Sequence, residues 1–270
     1  MRLPENIGLS TANQRALTWS YGGGTQSVAI AVLIAQGKLP KPEWIGIADT
    51  GRESSETWEY TDKWVRPMLR SVGCEIEVVS HSLSTVDLYS LKGELLIPAH
   101  TLTGNLDTFC STEWKKRVVQ RRLRQLGYGP GAPVVTWIGI SLDEIGRCKP
   151  SGVEWQLYDW PLVMKNPAQY RSHCYETVRV AGLPRPPKSS CWCCPWRKNE
   201  QWAHQRDNFP QDHEKACELD EFVRSNDTQG GVWIHHSRKP LREADLTVPD
   251  EPISPLFGEV GGCDSGMCWV

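Results

Sequence analysis

The sequence predicts an α/β protein, a mostly parallel twisted sheet with helices on both faces, followed by a smaller cysteine-rich helical segment. Three observations predict it. Short apolar runs with the character of buried strands alternate with helical stretches. A three-glycine turn, Gly22-Gly23-Gly24, joins the first apolar run to a helix. The composition then changes at Leu183-Pro184-Arg185-Pro186-Pro187, a stiff connector, and Cys191-Trp192-Cys193-Cys194-Pro195-Trp196 follows it.

Taken in order, Ala16, Leu17 and Trp19 form the first strand, and residues 28–35 are apolar throughout, the pattern of a buried helix. Residues 39–42 are a proline turn. Residues 44–49 read as a second buried strand, and a polar helix is expected from about 53 to 70. Residues 74–79 alternate in polarity and predict a third strand. The stretch 81–109 is mixed and assigns no element. Residues 114–126 predict a strongly basic helix, 127–133 a turn and 134–140 a fourth strand. A polar helical stretch is expected from about 200 to 225, then a loop or tail rich in proline, glycine and acids. No internal repeat is visible.

The chain has 270 residues, enough for one large domain or one domain with a small appendage. The expected division is 1–187, with 188–270 as the appended segment and tail. No run of about 20 apolar residues occurs, so no membrane span is expected, and residues 1–15 have no apolar core of a secretory signal. The net charge of −2 gives no global attraction to nucleic acid, so any such function falls to local clusters. Ten cysteines without an export signal point to metal ligands or redox groups and a cytoplasmic setting. The 13 tryptophans are expected mainly in core and interface, with a few as stacking surfaces.

Four stretches carry chemistry. In Ser20-Tyr21-Gly22-Gly23-Gly24-Thr25-Gln26-Ser27, glycines let backbone approach a ligand and the helix N-terminus directs N–H groups at it, the requirements of a phosphate turn. In parallel sheets ligands sit beyond the carboxyl ends of the strands, the edge expected to carry this turn, Asp49–Arg52 and residues 141–147. Cys191-x-x-Cys194 has metal-ligand spacing, with Cys193 between as an ambiguity. Lys115, Lys116, Arg117, Arg121, Arg122 and Arg124 form a cationic helix, either a solvated face or a polyanion-binding surface, which Arg171, Arg179, Arg185, Lys188, Arg197 and Lys198 would extend. The tail holds Cys263 and Cys268, in position to present a mobile thiol, to add metal ligands or simply to end the chain. Cys74, Cys148 and Cys217 read as ordinary small residues. His235-His236 read as a surface pair, and His81, His100, His173, His204 and His213 have no spacing partners.

These segments, in this order, resemble the PP-loop ATP pyrophosphatases, and within them the branch similar to PAPS/APS reductases. Gly22–Ser27 is similar to the phosphate loop Ser-Gly-Gly-x-Asp-Ser, with Gly22 for the leading Ser and Gln26 for the Asp. Asp49-Thr50-Gly51-Arg52-Glu53 with Glu56-Thr57 resembles the branch's Asp-Thr-Gly…Glu-Thr segment. Gly139…Glu144…Arg147 resembles its Gly-(Ile/Val)-Arg-x-x-Glu-x-x-Arg segment. Trp160-Pro161-Leu162 and Lys188-Ser189-Ser190-Cys191 also fit, and the likeness spans about residues 16–225.

The resemblance implies an ATP site with Mg²⁺ built from Ser20, Tyr21, Gly22, Gly23, Gly24, Thr25, Gln26, Ser27, Asp49, Thr50, Gly51, Arg52, Gly139, Glu144 and Arg147. Gln26, Ser27, Asp49, Cys263 and Cys268 are its implied catalytic residues. A neutral Gln26 holds a cation less well than Asp, so the metal would rest on other groups or on phosphate oxygens. In the iron–sulfur members a Cys-Cys pair lies at a similar distance before a Cys-x-x-Cys. Here Cys110 precedes Cys191 by 80 intervening residues, and Phe109 stands where the other cysteine of the pair would be. Cys110, Cys191 and Cys194 would then hold a [4Fe-4S] cluster with one iron open. A zinc site completed by Cys193 or Cys174 remains the alternative.

The implied function is ATP-dependent sulfur transfer to a nucleic acid, with DNA backbone phosphorothioation favoured over tRNA. A cysteine desulfurase would donate the sulfur, and a homodimer is expected. APS/PAPS reduction, tRNA thiolation and a non-catalytic nucleotide- and zinc-binding module are the alternatives.

Overall fold

The computed structural model describes residues 15–80, 88–90, 92–106, 110–227 and 231–247. Cys263 and Cys268 lie outside the described residues. Strand β1 (Ala16–Ser20) leads through the glycine turn into α1 (Thr25–Ala35), and β2 (Trp44–Asp49) follows. Next come α2 (Ser55–Tyr60), a π-helical turn (Thr61–Val65), α3 (Arg66–Arg70) and β3 (Ile76–Ser80). Short strands β4 (His100–Thr101) and β5 (Gly104–Asn105) precede a second π-helical turn (Ser111–Lys116) and α4 (Arg117–Gln125). Strand β6 (Val134–Ile138), a 3-10 turn (Leu142–Arg147), β7 (Gln156–Asp159), α5 (Pro161–Met164) and α6 (Arg171–Val180) continue the chain. Helices α7 (Asn199–Asn208) and α8 (Pro210–Ser225) and strand β8 (Val232–Trp233) follow.

The chain divides into two compact units. The first takes the chain up to Ile47, then Lys63–Val79 and Val119–Pro186. The second takes Ala48–Asp62, Ser80–Val118 and the chain from Pro187 on. The sequence places one division near 187. The structure in addition assigns 48–62 and 80–118 to the later unit, because their partners are residues far along the chain.

The first unit is built on a five-stranded sheet in the order β3-β2-β1-β6-β7. Strand β1 runs parallel to both β2 and β6, and β6 parallel to β7, with Trp19 opposite Ile45 on one side and Trp137 on the other. Both faces of the central strands are buried, as parallel strands flanked by helices require. Helix α1 is buried along almost its whole length and packs against α6. That explains its lack of a polar face. The polar side chains inside the sheet satisfy one another. Thr18 and Thr136 share a 2.9 Å hydroxyl bond, and Gln156 donates to Thr136 at 3.0 Å. A side chain at Gly46 would displace the Trp44 ring, since a Cβ there would lie 2.1 Å from it.

The second unit has its own core, in which Trp114, Trp202, Val223, Ile234 and Leu241 pack around Cys193 and Cys217. A small antiparallel sheet, β5-β4-β8, closes one side. Two buried carboxylates pin distant segments to α8. Asp212 accepts the Ser55 N–H at 2.8 Å and the Ser55 hydroxyl at 2.9 Å. Asp220 accepts the N–H groups of Ile234 and Leu241, both at 3.1 Å, and the Arg224 guanidinium at 2.9 Å.

Proline and widened turns account for the differences from the expected helices. The helix expected over 53–70 is interrupted by a π-helical turn before α3, where Pro67 has no N–H to return to the carbonyl one turn back. The basic helix begins earlier than expected, as the π-helical turn from Ser111. The helix expected over 200–225 breaks at Phe209, and Pro210 starts α8, a position where a missing N–H costs nothing. Strands of two residues, such as β4, β5 and β8, leave no periodic signal.

Candidate functional site

Two groups of side chains stand out, one in each unit. In the first unit, Ser20 ends β1, Tyr21 donates its N–H to the Gly46 carbonyl at 2.8 Å, and the glycines turn the chain into α1. Gly23 has φ of 75°, which a side chain would strain. Ser27 faces back into the loop, its Oγ accepting the Gly22 N–H at 3.0 Å. Gly139 lies behind the loop, where a Cβ would come within 3.0 Å of Ser27 Oγ. The first turn of α1, opening at Thr25, contains no acidic residue, so its N–H groups present uncompensated positive potential.

Gln26 has a defined partner. Its Nε2 donates to Ser141 Oγ at 3.2 Å and to Glu144 Oε2 at 2.5 Å. The other carboxylate oxygen of Glu144 receives two guanidiniums, Arg147 at 2.5 Å and Arg171 at 2.7 Å. The Arg171 N–H is itself anchored on Asp143 Oδ1 at 2.8 Å. The neutral Gln26 thus holds a carboxylate beside the glycine loop. Arg171, which the sequence placed only in an extended basic patch, belongs to this network. No local signal marks it, because 23 residues separate it from Arg147.

Cys174 of this unit lies on α6. Burial pushes its thiol up to about 12, with Asp143 adding to the effect. Burial likewise takes Cys148 to about 11.

The second group forms where residues 50–54 lie against residues 190–192. Glu53 and Cys191 form an antiparallel bridge. The Trp192 N–H donates to the Arg52 carbonyl at 2.7 Å, and the Ser54 N–H to the Ser190 carbonyl at 3.2 Å. Asp49 accepts the Gly51 N–H at 2.7 Å, closing a local turn in which Gly51 has φ of 67°. Thr50 is buried, with its Oγ1 3.5 Å from Cys191 Sγ. The Arg52 guanidinium, also buried, sits 4.7 Å over the Trp114 ring. Thr50 and Arg52, which the resemblance assigned to a nucleotide, thus make their described contacts around the cysteine turn.

The turn has an inside and an outside. Cys193 is 2% exposed and packs into the core, while Cys110, Cys191 and Cys194 are partly exposed. The Cys194 N–H donates to the Cys191 carbonyl at 3.0 Å, and the Arg197 N–H to the Cys194 carbonyl at 3.2 Å. The half-buried Arg197 side chain reaches back, Nε donating to the Cys191 carbonyl at 3.2 Å. His100 Nε2 donates to the Pro195 carbonyl at 3.1 Å. Lys115 Nζ lies 3.6 Å from the Glu53 carboxylate, whose other oxygen accepts the Ser189 hydroxyl at 3.2 Å.

Burial dominates the ionisation of these thiols. It pushes Cys110 up to about 12, with the Cys191 and Cys194 charges adding to it. It takes Cys191 to about 11, reinforced by Glu53 and opposed by Lys115. Cys193 rises further, and Cys194 less, where a backbone N–H and Arg197 oppose burial. Burial disfavours the Lys115 charge, but Glu53 and the three neighbouring thiols outweigh it and raise its pKa. Among the described residues, no three His, Cys, Asp or Glu side chains are gathered to hold a metal ion.

The basic stretch makes specific contacts. Lys115 turns inward onto Glu53, Arg117 pairs with Glu113, Arg122 with Glu77 at 2.7 Å, and Arg124 lies 5.5 Å over the Trp155 ring. Arg121 is exposed and Lys116 partly so. His235, expected at the surface, is buried, with Nδ1 accepting the Ser237 N–H at 3.2 Å.

No known protein family matches the chain, and no curated protein does. Among solved structures, the chain is similar to the U34-tRNA thiolase NcsA from Methanococcus maripaludis with its [4Fe-4S] cluster. The identity is 13%, over 80% of this chain and 73% of that one, with a TM-score of 0.42. No helix among the described residues is long and apolar enough to cross a membrane.

Proposed function

We propose that this protein is an ATP-using iron–sulfur sulfurtransferase that replaces an oxygen of a nucleic acid with sulfur, the DNA backbone being the favoured acceptor. The observation that carries the reading is the cysteine turn. It leaves Cys110, Cys191 and Cys194 partly exposed and Cys193 in the core, with the charges of Lys115 and Arg197 close enough to act on the thiols.

This donor set fits a [4Fe-4S] cluster. A cubane binds each thiolate to a different iron, so its ligands need not converge on one point as they do around a single zinc. Iron would replace the thiol protons that burial otherwise holds in place, and Lys115 and Arg197 would offset the charge of the thiolates. When bound by three cysteines, the cluster supplies an iron open to sulfur.

The glycine loop would cradle the ATP phosphates through Gly22–Gly24 and the first turn of α1. An acceptor oxygen attacks the α-phosphorus and pyrophosphate leaves. The terminal sulfur of a persulfide supplied by a cysteine desulfurase then displaces AMP, and a thiol reductant cleaves the remaining S–S bond, leaving sulfur on the acceptor and the reductant as a disulfide. Mg²⁺ would ride on the phosphate oxygens, since the loop has no carboxylate of its own. Of the basic stretch, the exposed Arg117, Arg121 and Arg124 are proposed to meet the polyanion, with Lys115, Lys116 and Arg122 extending the same positive surface.

The test uses anaerobically purified full-length protein with ATP, cysteine, a desulfurase and either DNA or tRNA. Iron and sulfide, AMP and pyrophosphate would be measured, and the nucleosides digested and analysed by mass spectrometry. The expected result is a phosphorothioate-linked dinucleotide formed with AMP release. A thiolated tRNA base instead would move the acceptor to RNA. Colourless protein carrying zinc, with no nucleotide turnover, would overturn the reading.

A further inference from the structure

We propose that Arg197 is a positioning residue that fixes the rotation of the cysteine turn, so that Cys191 and Cys194 are presented as ligands and Cys193 is kept in the core before any iron arrives. This rests on the iron–sulfur reading of the turn and goes beyond it by naming the side chain that chooses between neighbouring thiols.

Cys193 and Cys194 are adjacent, so a modest rotation of the turn would exchange one for the other. Their surroundings differ sharply. Cys193 is 2% exposed and packs with Trp114, Trp202 and Cys217, while Cys194 is partly exposed. The rotation is set by where the backbone carbonyls of the turn are held. The Cys194 N–H on the Cys191 carbonyl closes one turn, and the Arg197 N–H on the Cys194 carbonyl closes the next. The Arg197 side chain then crosses back over both. Its Nε donates to the Cys191 carbonyl at 3.2 Å and its Nη2 to the Ser190 carbonyl at 3.5 Å. One residue thus ties the end of the second turn to the start of the first. Its guanidinium lies 5.6 Å from the centre of the fully buried Trp202 ring on α7. Gln205, three residues further along α7, donates its Nε2 to the Trp192 carbonyl at 3.0 Å. Three successive carbonyls, 190 to 192, are therefore held by the side chains of Arg197 and Gln205.

Arginine is suited to this task for reasons beyond its charge. A guanidinium offers donors in one fixed plane and a flat face, so it can bond two consecutive carbonyls while lying over an indole. A lysine ammonium has the charge without the fork or the face. None of these contacts involves a metal, so the choice of thiols is made in the metal-free chain.

The experiment is pulsed alkylation of the metal-free full chain with iodoacetamide under native conditions, each cysteine followed by peptide mass spectrometry. Cys217, 1% exposed in the same core, reports any general unfolding. In the natural protein Cys191 and Cys194 are expected to label faster than Cys193 and Cys217. In Arg197→Gln and in Arg197→Lys, Cys193 is expected to label at least about tenfold faster, the factor that one lost hydrogen bond from a charged donor gives, with Cys217 unchanged. Cys193 protected as well in both variants as in the natural protein would overturn the inference. So would full protection restored by lysine, which would leave charge as the cause, or Cys193 and Cys217 exposed together, which would make Arg197 a general stabiliser. The expected labelling in a protein that takes up no iron on anaerobic reconstitution would remove the iron–sulfur reading and leave the role of Arg197 in the turn standing.

Discussion

Lys115→Met is the most informative single change in the cysteine-bearing unit. It removes a cation 3.6 Å from the Glu53 carboxylate, whose side chain is 3% exposed against 23% for the Lys115 side chain. At an effective dielectric near 20, two charges at that separation attract by about 4–5 kcal/mol. Much of this is spent on desolvation, so the pair itself contributes little net stability. Breaking it is different, because the buried Glu53 carboxylate then loses the Lys115 charge beside it, and the expected loss is about 3–5 kcal/mol. Glu53→Gln is expected to cost less, about 1–3 kcal/mol, since the freed Lys115 ammonium reaches water more easily. The double variant should be more stable than the two single costs predict, by about 2 kcal/mol. Urea unfolding followed by tryptophan fluorescence measures all four proteins. A Lys115→Met cost below about 1 kcal/mol, or strict additivity of the two changes, would refute the buried pair. The pH dependence supplies a second check. The folded pKa of Lys115 is raised, so its contribution is fully present below the ordinary value of 10.5 and is lost as pH rises through the folded value.

Three further outcomes follow from the same geometry. Cys110→Ala, Cys191→Ala and Cys194→Ala should each abolish iron binding in anaerobically reconstituted protein, while Cys193→Ala should spare it and cost stability through its lost core packing. Iron retained without Cys194 and lost without Cys193 would show the ligands assigned wrongly. Burial, aided by His236 and His100, depresses His235 to about 4. Stability should therefore be full above about pH 6.5 and fall as pH drops toward 4, by at most about 3 kcal/mol, and a flat urea midpoint over that range would contradict it. Asp220→Ala strands two buried N–H groups and the Arg224 guanidinium, so a loss of about 3–5 kcal/mol is expected in the same denaturation assay.

Much of the architecture was legible in the residues, and the reasons are local. Strands β1, β2 and β6 are short, β-branched or aromatic and apolar on both faces, which only a covered parallel sheet accommodates. The glycine turn and the all-apolar α1 announce a tight strand-to-helix passage whatever the rest of the chain does. Metal-ligand spacing makes Cys191 and Cys194 candidates without any fold. The misread helix ends, by contrast, lay at Pro67 and Pro210. The prolines were visible, but whether each would end, widen or start a helix depended on the packing around it.

The class of fold, the glycine turn and the thiol spacing were legible in the chain because each depends on residues close together in it. Tertiary structure alone decided which side chains face one another. It turned Cys193 into the core, brought Lys115 to Glu53 across 61 intervening residues, and gave Gln26 the carboxylate of Glu144 across 117. Such pairings have no periodicity or spacing rule. They arise only when burial removes water and each polar group must find its partner within the protein.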